Sequence, residues 1–543
     1  MFKVALISID TVESYGTRSL SANLKRGGFN VHNIYFGASM LQSGEKKTEA
    51  EYQSLDGLLM EIKPDLIGIS IISTFCHSVA VEIARRVKSF STNTPVIFGG
   101  VHPTMSPVFC LQTAAIDYVC VGEGEESLLE LCERLTSGQD ASAVPGIMYK
   151  GNTTYIRRNP PEDLNELPFQ DIGNENKYTV IVDGSVATGD PFLNGITTHF
   201  HTKCSRGCPF GCTYCSNANI RALYDPGKYL RRRSVDNVVE ELKFYKSLKP
   251  GLVHVWFIDD TFPSNPEWVR EFSIKYKEQV GIPFTIWIHP LKIKDENIAL
   301  LKDAGLVKAM AGVESASFKT RREAFHRGET NQNIIDAIAI LQKYGLKITV
   351  DMILDHPWES TSELKETFEL VMALPRPFTV AMHSMTLLPN TELAKRAVRE
   401  GFTTEEEIIA NIVSDPQESA KTYNWCKGAP IQNNSARAYW IFLIMCAANP
   451  EIPKWFVKLL ASSNFLKTYP IGQRDIQVVT WKADEELVNL PSIYLSKSAL
   501  VNRLSELSPL FRRILSSKRA KPFLFMNYVV FKVLKHSKTP IQG

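Results

Sequence analysis

The chain has 543 residues, 44% of them hydrophobic and 22% charged, which is ordinary globular composition and long enough for about three domains. A net charge of +3 provides no concentrated basic face, so no nucleic-acid partner is expected. Ten cysteines without regular spacing are unlike a secreted disulfide scaffold and fit a reducing cytosol.

The N-terminal run Lys3 to Ile9 reads as a strand and meets Asp10 before any signal-peptide core forms. The longest apolar run, near Ile441 to Ala448, is too short for a membrane span. A soluble, cytoplasmic protein is expected. Residues 1–145 alternate short apolar runs with helical stretches, the pattern of a doubly wound α/β sheet covered on both faces. Strands are expected at Val4 to Ile9, Val31 to Tyr35, Leu66 to Ile72, Val96 to Gly99 and Tyr118 to Val121, with a helix over Val79 to Phe90. Ligands bind such sheets beyond the carboxyl ends of the strands. Three loops there carry hydroxyls or glycines: Ser70 to Thr74, Gly99 to Pro103, and Gly122 to Glu125.

Residues 146–190, with Pro160-Pro161 and Pro168, read as a linker with one hairpin. Six βα units follow over residues 191–405. Strands are expected at Thr197 to Thr202, Val253 to Ile258, Phe284 to His289, Val307 to Val313, Ile348 to Leu354 and Phe378 to His383. Ser234 is placed to cap a helix whose apolar face is Val235, Val238, Val239 and Leu242. Barrels of such units place their chemistry at the carboxyl ends of the strands. Those ends carry Cys208 to Cys215, Asp259-Asp260, His289, Glu314-Ser315 and Asp355-His356-Pro357.

The run Cys208-Pro-Phe-Gly-Cys212-Thr-Tyr214-Cys215 supplies three soft thiolates on one short loop, suited to an iron-sulfur cluster or zinc. Three ligands leave one iron of a four-iron cube open, and an open coordination position is where metal chemistry happens. A structural zinc knuckle is the competing reading. Cys204 lies four residues upstream, but only the set beginning at Cys208 gives the C-x3-C-x2-C spacing.

That spacing, with Tyr214 before the last cysteine, resembles the radical S-adenosylmethionine (SAM) enzymes. The resemblance implies a [4Fe-4S] cluster on Cys208, Cys212 and Cys215, whose unique iron binds SAM and cleaves it reductively to a 5'-deoxyadenosyl radical. It implies SAM contacts from Tyr214, Asp259, Asp260, Glu314 and Ser315, on a partial (βα)6 barrel. The domain ahead of it resembles the cobalamin-binding domain of a large subfamily. Ser70-Ile71-Ile72 and Gly99-Gly100 match that domain's Ser-x-Leu and Gly-Gly elements, with Ile72 in place of leucine. By this likeness cobalamin is held by Ser70, Ile72, Thr74, Gly99, Gly100, Val101, His102, Glu123 and Gly124. No histidine follows Asp10 to ligate cobalt, because Val12 stands two residues on, and His77 and His102 read as packing residues. Two departures at the barrel mouth, Asp355 and Asn390 where relatives carry glycine, imply an altered backbone there.

Residues 406–543 carry no motif and read as a helical cap, with helices over Ala436 to Ala448 and from Pro453 to Leu460. The tail from Phe511 mixes basic and aromatic residues, as in a terminal helix packed on its domain or one lying on an anionic membrane surface. The expectation is a cobalamin-dependent radical SAM methyltransferase acting on a small molecule, with an external donor such as flavodoxin or ferredoxin supplying electrons. The alternatives are a cobalamin-dependent cyclase, as in the anaerobic porphyrin-cyclase relatives, and a sensor without turnover. A methylthiotransferase would need a further cysteine cluster, which Cys76, Cys110, Cys120 and Cys132 do not form by spacing.

Overall fold

The computed structural model describes residues 1–37, 46–151, 155–413 and 435–462. Residues 1–430 make one compact unit, and a second begins at Ile431.

Near-continuous apolar runs build the first sheet because helices cover both of its faces. Its strands are β1 (Lys3–Ile9), β2 (Asn30–Phe36), β3 (Leu66–Ser70), β4 (Val96–Gly99), β5 (Tyr118–Cys120), β6 (Ile147–Tyr149), β7 (Lys177–Val180) and β8 (Val186–Thr188). Their order is β6-β5-β4-β3-β1-β2-β7-β8, parallel except for β6 and β8 at the two edges. The intervening helices are α1 (Tyr15–Arg26), α2 (Glu49–Ile62), α3 (His77–Phe90), α4 (Val101–Met105), α5 (Pro107–Leu111) and α6 (Glu125–Ser137). Ala5, Ile7, Ile69, Val79, Ile83, Val87 and Phe98 form the core against α2 and α3. The strands expected from sequence stand within a residue or two of their places. The segment read as a linker does more than connect: Lys177 to Val180 pairs in parallel with β2 and extends the first sheet.

The second sheet begins with β9 (His199–Thr202), followed by a short ribbon of β10 (Ser205–Arg206) and β11 (Arg231–Arg232). It continues with β12 (His254–Phe257), β13 (Phe284–Ile288), β14 (Leu306–Glu314), β15 (Lys347–Leu354) and β16 (Thr379–Ser384). The six long strands pair in parallel in chain order from β9 to β16. Between them run α7 (Ser216–Ala222), α8 (Val235–Leu248), α9 (Pro266–Gln279), α10 (Asp295–Asp303), α11 (Asn331–Lys343) and α12 (Thr361–Ala373), with α13 (Glu392–Arg399) and α14 (Glu405–Val413) after the last strand. As expected, the Ser234 hydroxyl caps α8 by accepting from the Asn237 amide at 3.2 Å.

The two faces of this sheet differ in chemistry. Phe200, Val255, Phe257, Ile286, Ala309, Val350 and Met382 are buried under the helices. The alternate residues His201, Trp256, Trp287, Met310, Glu314, Asp351, Ile353 and Ala381 are only half-buried, and His383 is exposed. A filled barrel packs branched aliphatics inside, so this polar and aromatic inner face lines an open chamber.

In the second unit, helices Ser435–Ala448 and Lys454–Ser462 lie where the sequence predicted them. They are tied by the Tyr439 hydroxyl, which donates to the Ala461 carbonyl at 2.7 Å. No helix among the described residues is long and apolar enough to cross a membrane. The basic and aromatic tail from Phe511 lies outside the described residues.

Candidate active site

The three-cysteine loop follows β9 at its carboxyl end. Gly207 opens it at φ 92°, with the Tyr229 carbonyl oxygen only 2.6 Å from where a Cβ would stand, so no larger residue fits this turn. Asp259, at the end of β12, accepts from the Cys204 amide at 3.1 Å, the Ser205 amide at 2.6 Å and the Ser205 hydroxyl at 2.5 Å. Burial raises its carboxyl to about 6 against those hydrogen bonds. Asp259 thus anchors the root of the loop, a different task from the SAM contact expected of it. Arg221 on α7 donates to the Phe210 carbonyl at 2.8 Å and to that of Cys208, fixing the loop from its far side. The His289 ring stacks on Phe210 with centroids 3.7 Å apart.

Cys212 is buried, and Cys208 and Cys215 are half-buried. Burial pushes the Cys215 thiol up to about 11, and the neighbouring Cys212, Asp260 and Cys208 add to the rise. A bound cation would reverse that penalty and hold the thiols as thiolates. Tetrahedral zinc would bring three sulfurs to about 3.8 Å from one another. Among the described residues, the group whose ligand atoms converge within 4.8 Å is His77, His102 and Cys110, and the loop thiols are not part of it. At least one pair of the loop thiols therefore stands farther apart than 4.8 Å.

Around Cys212 stands a group that the motifs only partly foretold. The β14–β15 register shifts between Gly312 and Glu314, and Glu314 takes φ 66°, so a bulge re-aims its carboxylate into the chamber mouth. Burial raises Glu314 to about 7 even though Arg327 opposes the shift, with Nη1 3.6 Å from the carboxylate. Arg327 also donates to the Gly312 carbonyl at 2.6 Å, to Glu329 at 2.7 Å and to the Tyr214 hydroxyl at 3.3 Å, and lies 3.9 Å from the Cys212 sulfur. Tyr214, Glu314 and Arg327 therefore form one constellation. Asp260 is exposed beside Cys208 and Cys215. Ser315 is buried, and its hydroxyl accepts from the Ser317 amide at 3.2 Å as a local turn cap.

The mouth departs from expectation in one respect. Asp355 and Asn390 adopt φ 61° and 65°, so the left-handed backbone that glycine favours is kept. Aspartate and asparagine are the side chains that tolerate that region best. Asn390 also donates to the Met105 carbonyl at 2.6 Å, and its own carbonyl accepts from Asn219 of α7 at 2.7 Å. This joins the barrel mouth, the helix after the cysteine loop and the first domain.

The carboxyl edge of the first sheet faces this site. Ser70, Gly99, Gly100, Val101, Gly122, Glu123 and Gly124 are partly open there, and Ile72 is 39% exposed. An exposed apolar side chain among open backbone groups suits a large flat macrocycle rimmed with amides. Thr74 and His102 are buried. His102 turns inward, its Nε2 3.0 Å from His77 Nδ1, so neither imidazole is presented at the edge. Gly100, at φ 106°, packs its open side on the Ile71 backbone, with the carbonyl oxygen 2.7 Å from a would-be Cβ.

Glu123 is held by the barrel: Arg206 reaches it at 2.5 Å, and Arg231 pairs with its other oxygen. Arg206 also pairs with Glu125 at 2.6 Å, and the Glu123 amide donates to the Tyr224 hydroxyl at 2.9 Å. Burial works to raise Glu123, but the two guanidiniums outweigh it and hold the carboxyl below its ordinary value. The loop that ends the first sheet is thereby fastened two residues ahead of Cys208.

A B12 binding domain model matches residues 9–132, and a Radical SAM superfamily model matches residues 202–371. An uncharacterized methyltransferase of Pyrococcus horikoshii, PH0819, is 28% identical over 64% of this chain and 72% of its own length. The anaerobic magnesium-protoporphyrin IX monomethyl ester cyclase of Rubrivivax gelatinosus is 25% identical over 65% of this chain and 60% of its own. The fold resembles that of the radical SAM methyltransferase TsrM from Kitasatospora setae, solved with cobalamin and a [4Fe-4S] cluster bound. That likeness has a TM-score of 0.57 at 16% identity, over 74% of this chain and 79% of that one. The chain thus carries a B12 binding domain match followed by a Radical SAM match, the domain order of the cobalamin-dependent radical SAM enzymes that it resembles.

Proposed function

We propose that the protein transfers a methyl group to an unactivated carbon, or less readily to a phosphorus centre, of a small-molecule substrate. The observation that carries this reading is the facing of two edges. The loop of Cys208, Cys212 and Cys215 and the carboxyl ends of β3, β4 and β5 are joined by Glu123, Arg206 and Arg231. When bound, the cluster and SAM supply a hydrogen-abstracting radical, and cobalamin carries the methyl group.

The chain's own residues place these groups. Cys208, Cys212 and Cys215 hold the cluster, with Asp259, Arg221 and His289 setting the loop's shape. Glu314 and Asp260 offer carboxylates to the ammonium and hydroxyls of SAM, and Tyr214 and Arg327 orient Glu314. Ser70, Ile72 and the Gly99 to Val101 turn meet cobalamin, and the Glu123 to Gly124 loop sets its distance from the barrel. The chamber walled by Trp256 and Trp287, with centroids 5.2 Å apart, receives the substrate out of bulk water. Its task is alignment in a sheltered space. Electrons come from an external flavodoxin- or ferredoxin-like donor, in the reducing cytoplasm.

The test is anaerobic turnover with SAM labelled at the methyl group. Label in the product, together with S-adenosylhomocysteine and 5'-deoxyadenosine, is expected. A second reading, ring formation, is favoured by the likeness to the cyclase. It predicts 5'-deoxyadenosine and an unlabelled product.

A further inference from the structure

Away from the cysteine loop, the B12 domain contains a second set of metal-ligating side chains. His77 opens α3, His102 lies in α4 and Cys110 in α5, and their exposures are 2%, 1% and 0%. One ligand atom from each lies within 4.8 Å of the other two, and the imidazole nitrogens Nε2 of His102 and Nδ1 of His77 are 3.0 Å apart. Tetrahedral zinc, with nitrogen at about 2.0–2.1 Å and sulfur at about 2.3 Å, spaces its donors roughly 3.3–3.8 Å apart. The observed cluster needs only sub-ångström to ångström adjustments to reach that geometry.

A packed core explains this group poorly. His102 Nδ1 is buried with no hydrogen-bond partner, and so are the hydroxyls of Ser78 and Ser106, the residues beside His77 and between His102 and Cys110. Three unsatisfied polar atoms in so few turns are unusual in an apolar interior. His102 Nε2 and His77 Nδ1 share one hydrogen bond, whose proton a bound cation would displace. The Cys110 thiol would lose its proton to solvent as zinc binds. A cleft of about 850 Å³ lined by His77, Ser78, Phe109 and Gln112 borders the group on its His77 side.

We propose that His77, His102 and Cys110 bind one zinc ion that pins α3 to the α4–α5 segment and so braces the Gly99-Gly100 turn. Thiolate with imidazole selects zinc over hard cations. The site is separate from the cysteine loop and does not depend on which reaction the enzyme performs.

The test is elemental analysis of anaerobically purified holoprotein after passage over a chelating resin. It compares wild type with Cys110→Ser, His77→Gln and Cys212→Ala. The expected result is about one zinc per chain in wild type and in Cys212→Ala. In the other two variants zinc should fall at least tenfold, with iron content unchanged. Retained iron shows that those variants fold. Wild-type protein without zinc overturns the proposal whatever the variants do. So does zinc that persists in both Cys110→Ser and His77→Gln, or zinc that vanishes with Cys212→Ala alone.

Discussion

Replacing Glu123 with glutamine tests how the two domains are held in register. In wild type this carboxylate meets Arg206 and Arg231, with side-chain exposures of 18%, 13% and 7%. Removing one partner of a buried ion pair costs about 3–5 kcal/mol. Arg206 keeps Glu125, and Arg231 keeps the Pro161 carbonyl at 2.6 Å, which brings the expected loss to roughly 2–3 kcal/mol. That corresponds to about a 30- to 150-fold rise in local opening. Hydrogen exchange reads it directly, because the Glu123 amide is bonded to the Tyr224 hydroxyl. Exchange there should accelerate by that factor, while β1 amides such as that of Leu6 keep their protection. The sign with pH is fixed as well. Glu123 sits below its ordinary value of 4.5, so its stabilisation is present above 4.5 and is lost as pH falls through the folded value. Wild type and Glu123→Gln should converge only in that acid range. An unchanged rate at Glu123, or equal acceleration throughout the first sheet, would refute the reasoning.

Further outcomes follow from the loop and the SAM pocket. Asp259→Asn removes an acceptor for three donors at the loop's root. Stability should fall by about 1–3 kcal/mol, with iron lost and cobalamin retained by elemental analysis; full iron occupancy would contradict the anchoring role. Arg327→Lys keeps the charge but loses the fork that spans Gly312 and Glu329, and SAM affinity measured by calorimetry should drop about tenfold, the equivalent of ~1.4 kcal/mol. In SAM-free protein, Glu314 at about 7 stands above its ordinary 4.5. Its stabilisation is complete below 4.5 and is lost as pH rises through 7, by up to about 3 kcal/mol. Denaturant unfolding of Glu314→Gln should lack this decline.

The first sheet was legible because strands buried on two faces are nearly apolar throughout, as in Val4 to Ile9, and the second because strands such as Ile348 to Leu354 keep one wholly buried apolar face. The cysteine loop was legible because a metal cluster constrains spacing within a few residues. What escaped was set by contacts distant in sequence. A hairpin was expected within residues 146–190 and forms as β7 and β8, but the parallel pairing of Lys177 to Val180 with β2 was not legible. Arg327 lies in no motif, and its role emerges from packing on Cys212 and Glu314. Glu123 lies in a loop assigned to the cofactor by likeness, yet its carboxylate binds arginines more than 80 residues away. Asp259 and Asp260 are neighbours in sequence but face opposite ways, one into the loop's root and the other toward the thiols. Asp355 and Asn390 show that losing glycine need not alter a turn when the replacement tolerates the same dihedral angles.

The central claim is that the three loop thiols hold a four-iron cluster with one iron left for SAM. Mössbauer spectroscopy of the anaerobic holoprotein, with and without SAM, tests it most directly. The account predicts about four irons per chain and a single iron site whose parameters shift on adding SAM, with Cys212→Ala losing that signal and SAM cleavage while keeping cobalamin. Zinc at the loop, or a cluster whose iron sites all ignore SAM, would contradict it.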